Sequence, residues 1–271
     1  MEHYKSVHPL KYYQDYLAHD IRPDGRGLNK FRNVAINVDS ISSANGSTIV
    51  RIGNTCVVCG IKGELGPPKA EEPQNGFLII NVDLPPLCSS QFRPGPPSEK
   101  AQALTAYINN IAQRSNIIDL KNLCIEADKL VWTVYCDIVC LNYDGSVVDA
   151  CLASLIGSIL SVTLPKVHYN AETSVISVDE DIPIPLTVLC KPIATSFAIF
   201  NDDIILADPC GEEESLSNGT VTVIIANDEL HSIHKPGGNT LSEQQIQKCT
   251  SEAKERTILI YKLIQAAMKQ R

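Results

Sequence analysis

Residues 146–149, Ser-Val-Val-Asp, carry the most specific chemical signal in this chain of 271 residues. They follow a Tyr143-Asp-Gly turn at the end of an apolar, β-rich run (130–141) and open an apolar helical run. A strand feeding a helix N-terminus is a natural anion site, because its unpaired N–H groups and the helix dipole both favour negative charge. Asp144 can bond its own downstream backbone and Gly145 tolerates positive φ, so these two are the structural anchors of the turn. Ser146 and Asp149 read as a capping box, hydroxyl and carboxylate each satisfying orphan amides. The anion site is therefore expected to be taken. Asp149 puts a carboxylate in the first turn, and no Lys or Arg lies between Lys129 and Lys166. A phosphate docked there would meet repulsion and no cation.

Four other groups of residues could do chemistry. Arg22-Pro-Asp-Gly-Arg26 is a turn whose arginines either bind RNA phosphates or anchor an N-terminal arm to buried carboxylates. A rigid turn holding guanidinium forks favours the anchoring role. Phe92 and Arg93 sit in a Pro-, Ser- and Gly-rich loop (85–97) in which Arg93 is the one charge. That loop is either a plain connection or a presentation of one ring and one cation to single-stranded RNA. Glu212, Glu213 and Glu214, following Asp208, read as a solvated or partner-facing turn, and Asp137 as an outward or paired carboxylate. Finally, most of the ten cysteines lie in apolar runs, where a thiol behaves as a small core residue. The Cys56-Val-Val-Cys59 pair alternates faces of a strand and has no second Cys/His pair nearby, so neither metal nor cofactor is expected.

Composition bounds the class. The net charge of −8 argues against autonomous, high-affinity nucleic-acid binding, which usually needs a basic face. No apolar run approaches the length of a membrane span. The N-terminal residues lack the basic-then-apolar layout of a signal peptide, so an intracellular protein without membrane contact is expected.

The elements that must position these residues come twice. An arm (1–30) includes one or two helical turns around Tyr12 and Leu17. The first half (31–165) opens with period-two strands, among them 47–52 and 55–62, split by a Gly53-Asn54 hairpin signal. Residues 77–84 are expected to extend this antiparallel meander. A helix follows at 98–115, with Ala103, Leu104, Tyr107, Ile108, Ile111 and Ala112 as its core stripe. Next come the 130–141 strand and a helix apolar on most of its surface, which should be central. In the second half (166–271), strands are expected at 174–178, 186–190, 195–200, 204–208, 220–226 and 229–234. A long helix opens at Ser242 with a capping box.

Together these residues resemble the RNase PH family, and among its members the RNase PH-like ring subunits of the eukaryotic RNA exosome. The motifs are Arg22-Pro-Asp-Gly-Arg26, Gly53-Asn-Thr, Asn81-Val-Asp-Leu-Pro-Pro, Cys88-Ser-Ser-x-Phe-Arg-x-Gly-Pro-Pro97, Tyr143-Asp-Gly, Asp208-Pro-x-x-Glu-Glu and His234-Lys-Pro-Gly-Gly. The resemblance implies an α+β, RNase PH-like fold: two pseudo-repeated sheet-plus-helix halves packed through their helices. Active members cleave RNA from its 3′ end with inorganic phosphate. That chemistry needs cations for two anions and an acid for the leaving oxygen. Where active relatives carry a small-residue-and-Arg phosphate loop, this chain has 146–149 without Arg. On the first large helix, where they carry arginines, it has Asn109, Asn110 and Gln113, with Arg114 near the end. In place of their paired aspartates it has Asp208, Glu212 to Glu214 and then Asn218-Gly219.

The implied protein is a non-catalytic scaffold. It is one of six RNase PH-like exosome subunits in a ring, beneath an S1/KH cap, with RNA threading the central channel past Arg93. It would serve ribosomal RNA processing and mRNA decay in nucleus, nucleolus and cytoplasm. The alternative is an active phosphate-dependent 3′-to-5′ exoribonuclease, alone or through a composite site with a neighbour. A free-standing binding module is the third option.

Overall fold

In the computed structural model, which describes residues 2–170, 175–201 and 203–270, two sheets sandwich the main helices. The arm forms α1 (Glu2–Val7) and α2 (Pro9–Leu17). The first sheet then collects β1 (Val34–Val38), β2 (Gly46–Ile52), β3 (Thr55–Gly66) and β4 (Phe77–Asp83). Helix α3 (Glu99–Ser115) follows, then β5 (Cys124–Glu126), β6 (Leu130–Asn142) and α4 (Val147–Ser161). A ribbon of β7 (Thr163–Asn170) and β8 (Val175–Pro185) leads to β9 (Ile193–Phe200) and β10 (Ile204–Ala207). Helix α5 (Gly211–Leu216), β11 (Gly219–Ala226), β12 (Glu229–His234) and α6 (Glu243–Lys269) complete the chain.

The strand order of the first sheet is β1-β2-β3-β6-β4, with β5 also paired to β6, and that of the second is β10-β9-β11-β12. The Gly53-Asn54 hairpin joins β2 to β3 as expected. Residues 77–84 depart from the expected meander. β4 crosses over and runs parallel to β6 on its far side, so the sheet is mixed and β4 is its edge. In the second half the expected strand at 186–190 reduces to one bridge, Val188 to Ile118. The strand expected at 174–178 begins at a position outside the described residues and continues far beyond 178 as β8.

The core follows from the helices. All of α4 except Val148 and Leu160 is buried, because it touches β2 and β3 on one side and β9 on the other. A Cβ at Gly157 would come within 2.9 Å of the Thr48 side chain, so only hydrogen there lets the helix seat this closely on β2. Helix α3 packs on β4. Ser98 caps it by accepting from the Ala101 amide, and Asn116 closes it in the left-handed conformation. Its buried positions are Ala101, Ile108, Ile111, Ala112 and Ser115, while Ala103, expected in the stripe, is exposed. Ser242 and Gln245 form the capping box of α6, which packs on β1, β9 and β11. Among the described residues, no helix is long and apolar enough to cross a membrane.

Candidate functional site

Asp208, at the end of β10, sits in the seam between the halves and is almost fully buried. Three arginines that precede the first sheet converge on it. Arg32 grips its carboxylate three times: the backbone N–H and Nε donate to Oδ2 at 2.8 and 3.0 Å, and Nη2 donates to Oδ1 at 2.6 Å. Arg26 donates to the Asp208 carbonyl at 3.1 Å and through Nε to Asp24 Oδ2 at 2.5 Å. Arg22 is fully buried. It donates to the carbonyls of Leu28, Ala207 and Asp208 and to Glu213 Oε2. Burial alone would raise the Asp208 pKa; the Arg32 bonds outweigh it and hold the group below the usual carboxylate range. Burial lowers the Arg22 pKa, opposed chiefly by Glu213. The arginines of the 22–26 turn are thus committed to the protein itself.

The acidic run is not a solvated turn. It folds as α5, and successive residues on a helix point about 100° apart, so its three carboxylates reach three different elements. Glu212 accepts from Lys5 Nζ at 2.8 Å and from Tyr13 Oη at 2.7 Å, holding the arm. Glu213 is buried, accepts from the Cys210 amide at 2.9 Å and pairs with Arg22. Glu214 accepts from the Ser146 amide at 2.6 Å and from Tyr143 Oη at 3.1 Å.

That last contact changes which carboxylate fills the anion site. Ser146 takes the left-handed conformation, φ 49°, and makes no side-chain cap; its hydroxyl donates to the Pro209 carbonyl at 3.0 Å. The expected capping box is absent. Asp149 instead turns across the seam, accepting from the Ser196 amide at 2.8 Å and the Ser196 hydroxyl at 2.7 Å. Glu214, from the second half, occupies the amide at the start of α4. Burial raises the Glu214 pKa, against the pull of Ser146, Lys100 and Tyr143.

Asp144 bonds the Gly211 amide at 3.1 Å and Asn54 at 3.2 Å rather than its own downstream backbone. Gly145, φ 72°, meets the Pro209 carbonyl so closely that a Cβ would lie 2.4 Å from it. Both residues fix the turn against α5.

Phe92 is not available for stacking on a base. It is buried, with its ring edge-on to Tyr143 at 5.7 Å between centroids. The apolar face offered by the 143 turn wins over solvent. Arg93, next to it, is exposed. Asp137 is also exposed and accepts from Asn81 at 3.2 Å. The ten cysteines are free thiols, and burial pushes Cys59 up to about 12. Sequence reasoning passed over Arg32 and Lys100. Lys100, in the first turn of α3, lies 4.4 Å from the Tyr143 ring centroid and bonds its hydroxyl. The helical spacing of three consecutive glutamates was the one available signal that they could not all face water.

Profiles of the 3′ exoribonuclease family match in two parts: domain 1 (RNase PH) over residues 30–165 and domain 2 over residues 190–256. Exosome complex component rrp43 of Schizosaccharomyces pombe is 37% identical over 93% of this chain and 94% of its own length. Among solved structures, the Archaeoglobus fulgidus exosome with RNA bound to the active site superposes with a TM-score of 0.82 at 31% identity. It covers 93% of this chain and 96% of that one. An archaeal exosome core gives 0.77 at 28%, covering 94% and 95%.

Two outcomes are expected. Replacing Arg22 with Met leaves the buried Glu213 with only the longer Arg26 contact at 3.7 Å and strands the carbonyls that Arg22 held, so it should lower stability by about 3 kcal/mol, read as a shift in the urea midpoint. Burial pushes the Asp149 pKa to about 7, the two Ser196 bonds and Arg256 opposing and Asp208 adding to the rise; an unfolded Asp titrates near ~3.9. Between those values the folded state holds a proton that the unfolded state has lost, so stability falls as pH rises through that window. Denaturation at pH 5 and pH 8 should show a larger loss for the native chain than for Asp149→Asn.

Proposed function

The chain belongs to the RNase PH family of 3′ exoribonucleases, and on that basis we propose that it is a non-catalytic subunit of an RNA exosome core ring, of the Rrp43 and Rrp42 type. It builds the wall of a six-membered RNase PH-like ring under S1/KH cap subunits and lets RNA pass through the channel, supporting 3′-to-5′ RNA processing and decay. Its place is nucleus, nucleolus and cytoplasm. One observation carries this reading: the Ser146 amide at the start of α4, where an inorganic phosphate would dock, is held at 2.6 Å by the carboxylate of Glu214. The nearby arginines offer no substitute. Arg22, Arg26 and Arg32 are tied to Asp208, Glu213 and backbone carbonyls, so a phosphate nucleophile beside an RNA phosphate would lack the cations it needs.

A second reading, phosphorolysis through a composite site shared with a neighbour, draws on Lys100. Its ammonium, on the Tyr143 hydroxyl, is close enough to Glu214 to favour its ionised form. With Glu214 swung aside, that ammonium and the Ser146 amide would form a small anion seat. The chain assembled with its ring neighbour, incubated with 3′-labelled RNA with and without inorganic phosphate, separates the two. No phosphate-dependent release of nucleoside diphosphates is expected, and the Ser146 amide resonance should not move on phosphate addition. Diphosphate release that disappears in Lys100→Ala would establish the composite site. Arg93 is assigned to the channel wall: Arg93→Glu should shorten the RNA length protected by the ring while subunit stoichiometry stays unchanged.

A further inference from the structure

Side chains of α3 close the outer edge of β4 at both Val82 groups and at the Ile80 carbonyl but not at the Ile80 N–H, and the open stretch at Leu78 faces a groove. Thr105 of α3 both donates to the Val82 carbonyl and accepts from the Val82 amide. Asn109, one turn later, donates to the Ile80 carbonyl at 2.7 Å. At the other end the Gly76 amide donates to the Leu120 carbonyl at 2.9 Å. Backbone groups alternate in direction along a strand, so if those of Ile80 and Val82 point away from β6, those of Leu78 do as well. Among the described residues, none supplies a partner to the outward N–H or C=O of Leu78.

A cavity of ≈ 730 Å³ opens at this position. One wall is Phe77, Ile79 and Tyr135; the other is Asn109, Gln113 and Asn116. The contents of those walls limit what fits. A residue of an extended polypeptide carries the C=O and N–H that complement Leu78, and its neighbours alternate sides. One side would meet aromatic and aliphatic surface, the other the amides of α3. RNA fits poorly, since the rim cation Lys69 lies over the Phe77 ring and shares the rim with Glu72. A phosphodiester has no donor for the Leu78 carbonyl and would find no net positive charge.

We propose that this groove is a docking site for an extended segment of another polypeptide, alternating apolar and small polar residues, which adds to β4 by pairing with Leu78. The assignment stands apart from the ring reading, because it concerns the free chain's own edge. The test uses a fluorescein-labelled nonapeptide of alternating valine and threonine, titrated onto the purified full chain, with hydrogen exchange followed at the Leu78 amide.

The peptide should bind and slow exchange at Leu78 at least tenfold. Leu78→Pro removes the outward N–H, which an edge strand tolerates, along with a side chain packed on the core, and should weaken binding at least tenfold. Gln113→Trp fills the groove without altering the sequence of β4 and should do the same, keeping the proposal testable should the proline variant fold poorly. Absence of binding, unchanged exchange at Leu78, or equal affinity for the native chain and Gln113→Trp would overturn the proposal. So would a single-stranded RNA decamer that binds in place of the peptide and is lost in Gln113→Trp, which would hand the groove to nucleic acid.

Discussion

The fold depends on the charge cluster in its seam. Asp208 and Glu213 from the second half and Arg22, Arg26 and Arg32 from the first are all largely removed from water. Each buried ion is costly unless its partner and its remaining hydrogen bonds are present. The cluster comes near that condition in one arrangement, with the 22–26 turn laid against β10 and α5, although Arg22 Nε and Arg26 Nη2 make no hydrogen bond there. It therefore serves specificity more than net stability. Apolar surfaces alone would let the two halves slide over one another; a tridentate grip of Arg32 on one carboxylate does not.

Helix α5 extends this logic. Its three consecutive carboxylates bind, in order, the arm, the 22–26 turn and the start of α4. A helix with three carboxylates and no cation of its own thus meets a cation of the arm, the guanidinium of Arg22 and the otherwise unpaired amide of the central helix. A site that would otherwise attract a free anion is satisfied internally. The cost of burying Glu214 is visible in its raised pKa, and burial raises Asp149 as well.

What could be read from the sequence was local. The Gly53-Asn54 hairpin, the Ser98 and Ser242 caps and the all-round apolar character of α4 each follow from residues within a few positions of one another. What could not be read was decided by partners distant in the chain. Phe92 is buried because Tyr143 is there to pack on. Ser146 leaves the cap geometry because Pro209 and Glu214 claim its hydroxyl and amide. β4 pairs in parallel because α3 must return the chain across the sheet. The anion site itself is legible as occupied, yet the sequence points to Asp149, the carboxylate in the first turn of the same helix, and the true occupant lies 68 residues from Ser146.

The way α3 covers β4 bears on the life of the chain before it meets its neighbours. A bare sheet edge is a template on which identical strands stack into fibres. Here Thr105 takes both outward groups of Val82 and Asn109 the carbonyl of Ile80, so the ladder is interrupted over the C-terminal half of that edge. At β4, an orphan copy is thereby a poorer template for stacking than a bare edge would be.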